Sequence, residues 1–479
     1  MNIKHQLSSI ALTACLAAAW TSCQTPKKVA DTEMRSLPAT IGKGMGSDTV
    51  GTTLERRLFN RSVHLNNLID TVLANNFDLR IAVERLRMAI AVATQAKAPL
   101  LPQVNGVLVP SIRRFGLYTM DGAGNIVTDM EPGKPVPINL PDFLIGTQAS
   151  WEADLWGKLK NRRKAALARF EASREGRQLL TTLLVAETAT AYYDLLAYDQ
   201  ELRLLDETIK LQKQALEMVR VQKQTAVTNE LAVQQFEVQL LDQQGLRMQV
   251  EQRITDTETL LNLLAGRFAQ DIPRDSAFFA EGTLPELQDG IPTRMLLDRP
   301  DVRQARLELK ADDAETEAAR AAFLPSLLFT GGVGLQGYRM GVLFRLPESL
   351  AYSLFAGLSA PLLNRNAIRG EYERTLAGRN ESLWNYRKIL TDAFLEVHAE
   401  MKRIDNLQRI YETKKWEAEI IGRSVSVSDE LFRYGRANYV EVLLARQNAL
   451  RVNIELIETR RNQFAAAIRL YRLLGGGRD

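Results

Sequence analysis

The pattern of hydrophobic positions is most regular in the last quarter of the chain. No proline occurs from Leu362 to Asp479, and apolar residues recur seven apart at Leu376, Leu383, Leu390, Val397, Ile404 and Tyr411. Phe394 and Met401 form a second row, four residues after Leu390 and Val397. A spacing of seven keeps one stripe on one side of an α-helix and is typical of a helix packed along another helix. The part of this stretch before Tyr434 predicts one helix of about 68 residues, which is roughly 100 Å long at about 1.5 Å per residue.

A reversal follows this helix at Tyr434 to Asn438. Gly435 suits the left-handed residue of a turn, and Asn438 suits the N-cap of a next helix, predicted from Tyr439 to Leu474. The glycines at 475–477 end that helix. We therefore predict a long helical hairpin.

The same pattern occurs earlier in the chain. Residues 142–272 are also free of proline, and a proposed turn at 225–229 again leads into an asparagine, Asn229, 209 residues before Asn438. The spacing from Asp78 to Pro102 equals that from Asp301 to Pro325, 24 residues in both. We interpret the chain as two tandem repeats, residues 61–272 and 295–479, joined by a linker at 273–294.

The first 22 residues form a basic start and a short apolar segment, which predict an export signal. Of the two cysteines, Cys15 lies in this region and Cys23 directly follows it, so the mature chain is expected to have no disulfide. Cys23 follows the apolar segment as in the lipobox of bacterial lipoproteins and is our candidate lipidation site. Lipidation at Cys15 and a plain secretory signal are the alternatives. Residues 23–60 are predicted to be an extended arm.

Composition excludes some partners and leaves others open. A net charge of +4 in 479 residues gives no reason to propose nucleic acid as a partner. No tract of about 18 apolar residues follows the signal, so any membrane crossing would use strands.

Each repeat begins with a helix and then changes to a strand pattern. The predicted helices run from Leu65 to Ala98 and from Met295 to Phe323, and the segment from Asp121 to Pro141 is predicted to be loop. The four predicted strands are Val104–Ile112, Phe143–Leu155, Ser326–Gln336 and Leu350–Leu362. Strands of about ten residues in two hairpins can cross a bilayer at a tilt.

Four strands leave open edges, which lipid does not tolerate. We therefore expect a homotrimer with twelve strands around an aqueous lumen. The expected fold is mainly α with a small β part: two repeats of long helical hairpins and four strands per chain, closing as a trimer into a 12-stranded β-barrel on a 12-column α-barrel.

Three motifs carry a resemblance to the TolC-like family of outer-membrane efflux proteins. The segment 151–158, WEADLWGK, resembles the family motif where the second strand meets the long helix, and the segment 432–445, FRYGRANYVEVLLA, resembles that at the second hairpin tip. The ending LYRLLGGG, residues 470–477, is similar to the lipoprotein branch that serves resistance-nodulation-division pumps. The motif residues of structural interest are Trp151, Asp154, Trp156, Gly157, Pro102 and Pro325.

The resemblance implies a trimeric conduit anchored in outer-membrane lipid and extending into the periplasm, where its tips meet a periplasmic adaptor and an inner-membrane transporter. Glu441 matches an acidic position at the closed aperture of such channels. The family's next acidic position is occupied by Leu444 in this sequence. Tyr434 and Arg436 are candidates for holding neighbouring hairpins shut. The expected adaptor contacts are Thr225, Ala226, Thr228, Asn229, Gly435, Ala437 and Asn438.

An enzyme and a helical scaffold or binding protein are two other classes of function for this sequence. An enzyme needs a catalytic or metal-binding constellation, and His64 and His398 are isolated, so we expect no cofactor and no metal site. The glycines of Gly332 to Gly337 fit a dinucleotide fingerprint formally, but they lie in a predicted strand. A secreted helical-bundle scaffold or binding protein with no channel is the remaining alternative, and it leaves the four strands and the motif from Trp151 to Gly157 unexplained.

Overall fold

The computed structural model describes residues 40–41, 62–275, 291–361 and 365–476, with the single residues 26, 38 and 279. The predicted signal, Cys23, and most of the arm and the linker lie outside the described residues. The first repeat and the strand before it contain β1 (Thr40–Ile41), α1 (Val63–Asn75), α2 (Phe77–Gln95), β2 (Gln103–Arg113), α3 (Met120–Ile126), β3 (Asp129–Glu131), β4 (Lys134–Pro135), β5 (Leu140–Ala153), α4 (Lys158–Gln224) and α5 (Glu230–Leu264). The end of the predicted linker and the second predicted repeat contain β6 (Ile291–Pro292), α6 (Arg294–Leu297), α7 (Pro300–Ala321), β7 (Ser326–Gly337), α8 (Met340–Leu343), β8 (Leu350–Ser359), α9 (Arg365–Arg433) and α10 (Tyr439–Leu473).

These residues form two compact units. The first contains residues 88–171 and 307–384, with the strands β2, β5, β7 and β8. The second contains the described parts of 33–87, 172–306 and 385–479. None of the described helices is long and apolar enough to cross a membrane.

The long hairpins confirm the prediction from the heptad pattern. The helices α4 and α9 have 67 and 69 residues, and α5 and α10 have 35 each. All six predicted seam residues of α9 are buried or half-buried, including Leu390 and Val397. A neighbouring row of α9, however, also faces inward and contains the charged residues Arg379 and Glu400.

The helix predicted from Leu65 to Ala98 is two helices, which corrects that prediction. Asn76 separates them, and its buried side chain makes two hydrogen bonds. The amide of Leu79 donates to Asn76 Oδ1 at 3.0 Å, while Asn76 Nδ2 donates to the carbonyl of Leu264 at 2.9 Å. Asn76 thus caps α2 and ties it to the end of α5.

Two further predictions need correction. The helix predicted from Met295 to Phe323 is interrupted before Pro300, whose missing N–H and fixed φ suit the first turn of α7 rather than a helix interior. The predicted loop from Asp121 to Pro141 contains most of α3 and the short hairpin β3–β4. Thr119 caps α3 by accepting a 3.2 Å hydrogen bond from the amide of Gly122.

The four long strands form one antiparallel sheet in the order β2-β5-β7-β8. The two predicted hairpins, β2–β5 and β7–β8, are present, and β5 pairs with β7 between them. Successive side chains of a strand point to opposite faces, so the register assigns each residue to a face. One face is apolar, with Val104, Leu108, Ile112, Val333, Tyr352, Leu354 and Leu358. The other is richer in polar and small residues, with Asn105, Gln148, Ser150, Thr330, Gln336 and Ser353, but it also carries Val107, Val109, Leu144, Leu328 and Phe355.

Glycines on the polar face allow a close approach of β5 and β7. Gly146 pairs with Gly334 across these strands, and a Cβ on Gly334 would lie 2.8 Å from Gly146 Cα. The fingerprint-like glycines therefore lie within strand β7.

In the second unit the four long helices contact one another in the order α5-α4-α10-α9. Arg253 of α5 pairs with Glu201 of α4 at 2.8 Å. Tyr193 of α4 stacks on Phe464 of α10 with ring centroids 4.3 Å apart. Lys414 of α9 pairs with Glu455 of α10 at 2.7 Å.

The arm and the linker meet in a short sheet. Thr40 and Ile41 pair antiparallel with Pro292 and Ile291, and both isoleucines are fully buried. The arm is therefore held to the end of the linker, just before the second predicted repeat.

Candidate functional site

The second hairpin turn follows from the left-handed conformation of Gly435, with φ 68°. The amide of Arg436 donates to the carbonyl of Leu431 at 2.8 Å, and that of Gly435 to Phe432 at 3.0 Å. This pair of bonds is the Schellman motif, which satisfies the last carbonyls of a helix. It ends α9 and reverses the chain.

A capping box begins α10. The amide of Val440 donates to Asn438 Oδ1 at 3.4 Å, and the amide of Asn438 donates to Glu441 Oε2 at 3.2 Å. Such a box satisfies N–H groups that the helix leaves unpaired. The carboxylate of Glu441 therefore has a local structural partner, although the residue is exposed.

The first hairpin turn has the same hydrogen bonds with a different residue at its centre. Ala226 takes the left-handed conformation, with φ 58°, where the second turn has Gly435. The amide of Val227 donates to Gln222 at 2.9 Å, and Asn229 Oδ1 accepts from Ala232 at 3.1 Å. Lys223 and Glu230 form an ion pair across the turn. Thr225 and Thr228 are the other predicted contact residues of this turn, between the end of α4 and Asn229.

The two tips pack together through an apolar cluster. Its buried members are Ala215, Leu216, Val219, Ala232, Val233 and Phe236 of the first hairpin. Phe432, Tyr439 and Leu443 of the second hairpin pack against them. A cavity of about 150 Å³ lies beside this cluster, between the hairpins.

A polar tie also joins the hairpins, and the sequence reading missed it. Nη2 of Arg446 in α10 donates to both carboxylate oxygens of Asp429 in α9, each at 3.0 Å. Nη1 of Arg446 also donates to the carbonyl of Leu211 in α4 at 3.4 Å. The sequence could have indicated the ion pair, because Asp429 lies one turn before the end of α9 and Arg446 lies two turns into α10. The acceptor in α4 is a backbone carbonyl, which no residue type reveals.

The predicted aperture residues are placed at the second tip. Glu441 and Leu444 are three apart on α10 and so share a face, and both are exposed. Tyr434 and Arg436 are also exposed, and within the described residues neither side chain has a polar partner. Glu441 and Ala437 line one part of a 380 Å³ groove whose other wall is Ile420, Val427 and Leu431 of α9.

Comparison with known proteins decides the family. The sequence profile described as outer membrane efflux protein matches residues 68–267 and 291–476. The chain belongs to this family. The pyoverdine export outer membrane protein OpmQ of Pseudomonas putida is 29% identical over 87% of this chain and 86% of its own. The probable outer membrane lipoprotein SilC of Salmonella typhimurium is 27% identical over 86% of each.

A solved structure of a membrane protein from Pseudomonas aeruginosa has a similar fold. Its TM-score is 0.83, at 22% identity, and the match covers 94% of this chain and all of that one. As an outer membrane efflux protein, the chain is an exit channel of the outer membrane with a helical part in the periplasm. Channels of the family form trimers and work with adaptors and inner-membrane transporters in tripartite pumps. They are channel proteins rather than enzymes.

The strand-to-helix junction of this efflux protein is built by the motif at 151–158. The amides of Leu159 and Lys160 donate to the Asp154 carboxylate at 3.1 and 2.7 Å, which stabilises the start of α4. Gly157 is left-handed, with φ 79°.

The two tryptophans of the motif reach the two Leu-Pro segments. Trp151 Nε1 donates to the carbonyl of Leu100, two residues before Pro102, at 3.2 Å. Trp156 Nε1 donates to the carbonyl of Pro325 at 2.7 Å. One motif thus donates hydrogen bonds to the backbone at or near both Leu-Pro segments.

Charged groups are buried between the long helices of the channel. Burial raises the pKa of Glu400, although Arg469, Arg403 and Arg472 act against it. Burial likewise raises the pKa of Asp194, opposed by Arg461. In the described part of the chain, no group of three or more histidine, cysteine, aspartate and glutamate side chains could hold a metal ion.

Proposed function

We propose that this efflux channel is a homotrimer in which helix α5 of one copy packs against helix α9 of the next, with its closed aperture at the hairpin tips. The observation that supports this is the pair of unpartnered apolar stripes on the two outermost helices. We further propose that Cys23 carries the lipid anchor and that the tips bind the adaptor of a resistance-nodulation-division pump.

The order α5-α4-α10-α9 leaves α5 and α9 at the edges. No hydrogen bond or ion pair joins α5 to α9 in the described residues of one chain. Each edge helix therefore has a side available for a neighbour. A ring is the simplest way to cover both edges, because α5 and α9 differ and a contact between them repeats around an axis.

The edge helices expose apolar residues at coiled-coil spacing. On α5, Leu231 and Val238 are seven apart, as are Leu241 and Met248, and each is more than half exposed. On α9, Ile420 and Val427 are seven apart and 53% and 55% exposed. Stripes at this spacing bury their side chains in the grooves of a partner helix.

Charges beside the stripes fit the same pairing. If the tips of neighbouring copies lie level, α5 and α9 run antiparallel and Val238 lies opposite Val427. Asp242 then lies opposite Arg423. In the described residues neither has an ion-pair partner in its own chain, so the pair would join two copies.

The sheet supports closure as well. β2 and β8 are edge strands of 11 and 10 residues with an apolar and a polar face. Joining β8 of one copy to β2 of the next satisfies both edges, with the apolar face toward lipid and the polar face toward a lumen.

Glu441 is our candidate for the charge at the aperture. Three copies of its carboxylate near one axis would attract cations and hold divalent ions. The capping box makes Glu441→Gln the informative variant, because glutamine can keep the box while it removes the charge.

The test combines the oligomeric mass of the detergent-solubilised protein with planar-bilayer conductance of the same sample. We expect a trimer with small, mostly closed, cation-selective channels, and weaker block by divalent cations in Glu441→Gln. Glu430→Gln, an exposed acid near the same tip, is the control. A non-conducting species of another stoichiometry would favour the scaffold alternative. Unchanged block by divalent cations in Glu441→Gln would show that Glu441 is not the charge at the aperture.

The adaptor and pump type rest on two features. The tips are the only hairpin turns between long helices in the described chain, and the ending at 470–477 resembles that of channels serving resistance-nodulation-division pumps. The similarity to SilC, described as a probable lipoprotein, supports lipidation at Cys23.

A further inference from the structure

The two connections between paired strands lie at one end of the sheet. β2 ends at Arg113 opposite Leu140, and β8 begins at Leu350 opposite Leu335. The long helices join the sheet at its other end, after β5 and β8. Residues 114–139, here called outer loop 1, and residues 338–349, called outer loop 2, therefore share the end away from the helices. In an outer-membrane channel with periplasmic helices, this end faces the outside of the cell.

Each outer loop has internal hydrogen bonds of its own. In outer loop 1 the amide of Gly133 donates to Asp129 Oδ2 at 3.1 Å, and the amide of Val136 donates to Thr128 at 3.1 Å. In outer loop 2 the amide of Ser349 donates to Arg345 at 2.9 Å. Both loops thus contain hydrogen-bonded amides.

One carboxylate joins the two loops. Glu131 of outer loop 1 accepts from Tyr338 Oη and from Arg339 Nη2 of outer loop 2, both at 2.6 Å. Lys134 Nζ donates to the same carboxylate at 2.5 Å. In the described residues, which include both loops completely, no other hydrogen bond or ion pair joins one loop to the other.

The surroundings keep this carboxylate charged. Hydrogen bonds from Lys134 and Tyr338 and the charge of Arg339 lower the pKa of Glu131 to about 2. The Arg339 guanidinium also lies 5.4 Å from the Tyr338 ring centroid, which holds the two donors of outer loop 2 together. Charge-assisted hydrogen bonds of this kind are stronger than neutral ones.

We propose that Glu131 is a clamp that makes outer loops 1 and 2 of each chain move as one body at the outer mouth of the channel. The clamp follows from contacts within one chain. Its effect on ion current rests on the proposed channel function, because loops released from each other would obstruct the mouth intermittently.

The direct test is hydrogen–deuterium exchange of the full-length protein in detergent. Glu131→Gln keeps the shape of the side chain but removes the charge, and its NH₂ group faces cationic donors. We expect amide exchange to rise about tenfold in both outer loops and to stay unchanged in β2, β5, β7 and β8. Glu348→Gln removes an acid from outer loop 2 that has no partner in the described residues, and it should leave exchange unchanged.

Variants on the other loop separate the clamp from a local effect. Tyr338→Phe and Arg339→Gln should each raise exchange in outer loop 1, although the change lies in outer loop 2. Combined with Glu131→Gln they should add little, since the contact is already lost. Faster exchange confined to the mutated loop, or simple additivity, would overturn the proposal.

Conductance gives a second readout. Glu131→Gln should make the open-channel current noisier at unchanged mean open probability, and Glu348→Gln should not. If the native protein carries no current, the channel function fails while the exchange result still decides the clamp. Equal noise in a conducting pair of variants would show that the clamp does not act on the mouth.

Discussion

The central residue of the two hairpin turns differs although their hydrogen bonds match. Ala226 has φ 58° and Gly435 has φ 68°, and the left-handed region costs a residue with a Cβ about 1 kcal/mol. We expect Ala226→Gly to stabilise the first turn by about 1 kcal/mol and Gly435→Ala to destabilise the second by about the same amount. Amide exchange of Val227 and Arg436, which close the turns, should change about fivefold in opposite directions. A change of the same sign in both turns would contradict this explanation.

A buried carboxyl makes stability depend on pH. Glu400 Oε1 has no hydrogen-bond partner, and the nearest guanidinium nitrogens, of Arg403 and Arg469, lie 3.7 and 3.8 Å from Oε2. Burial raises the pKa of Glu400 in the folded state, so its ionisation lowers stability at neutral pH. That loss disappears as the pH falls below the raised pKa.

Glu400→Gln should therefore raise the melting temperature at pH 8, by about 2 °C for each kcal/mol recovered. The advantage over the native protein should shrink as the pH is lowered toward the raised pKa of Glu400, because the native carboxyl then becomes protonated. Thermal unfolding of both proteins across this range is the measurement. An advantage that grows on acidification would mean that the arginines outweigh burial.

At the scale of elements, Arg446 connects helices of both hairpins. Arg446→Gln leaves Asp429 without its cation and removes a donor to Leu211, which should cost about 1–3 kcal/mol. Because this contact holds the hairpins together beside the 150 Å³ cavity, we expect a higher open probability in planar bilayers.

Arg451→Gln is the matched control for Arg446→Gln. Arg451 lies on the same helix, and its partner Glu455 is only one turn away at 2.8 Å, so its loss frees no other helix. Equal open probability in the two variants would contradict a role for Arg446 in keeping the hairpins closed.

The start of α4 depends on Asp154. Asp154→Ala removes the acceptor for two helix amides and should cost about 1 kcal/mol, with faster exchange at 158–161. Asp154→Asn keeps one acceptor oxygen and should have a smaller effect. If both variants exchange like the native protein, the glycine turn alone begins the helix.

The long elements could be predicted from sequence, while the contacts that interrupt or join them could not. The heptad spacing and the absence of proline predicted a helix of about 68 residues before the second turn, and α9 has 69. The break at Asn76 depends on the carbonyl of Leu264, 188 residues away, and so leaves no local signal. The heptad count likewise could not show that Glu400 faces inward, because a charged residue at such spacing is usually solvated.

At the hairpin tips, too, the turn residues could be predicted from the sequence and the long-range contacts could not. The turn residues Gly435 and Asn438 have backbone requirements that residue type reveals. The clamp at Glu131 joins loops more than 200 residues apart through residues that match no motif. The roles of Glu441, Leu444, Tyr434 and Arg436 at the aperture stay predictions.

At the scale of the whole molecule, the proposed trimer covers both the edge helices and the edge strands. In this proposal α9 covers α5 of the next copy and β2 covers β8, so the contact joins two different surfaces and is head-to-tail, the type that can close a ring. Because Cys15 and Cys23 are the only cysteines, a mature chain with Cys23 at its lipidated end has no other thiol. Introduced cysteines can therefore report on this ring.

The most direct measurement is cross-linking of Val238→Cys combined with Val427→Cys in the intact outer membrane, using a short bis-maleimide. The account predicts covalent trimers on a denaturing gel from the double variant and no cross-linked species from either single variant. Val238→Cys combined with Ile410→Cys, about 25 Å further along α9, should give no product. Dimers from Val427→Cys alone, or monomers from every variant, would contradict closure of the ring by α5 and α9.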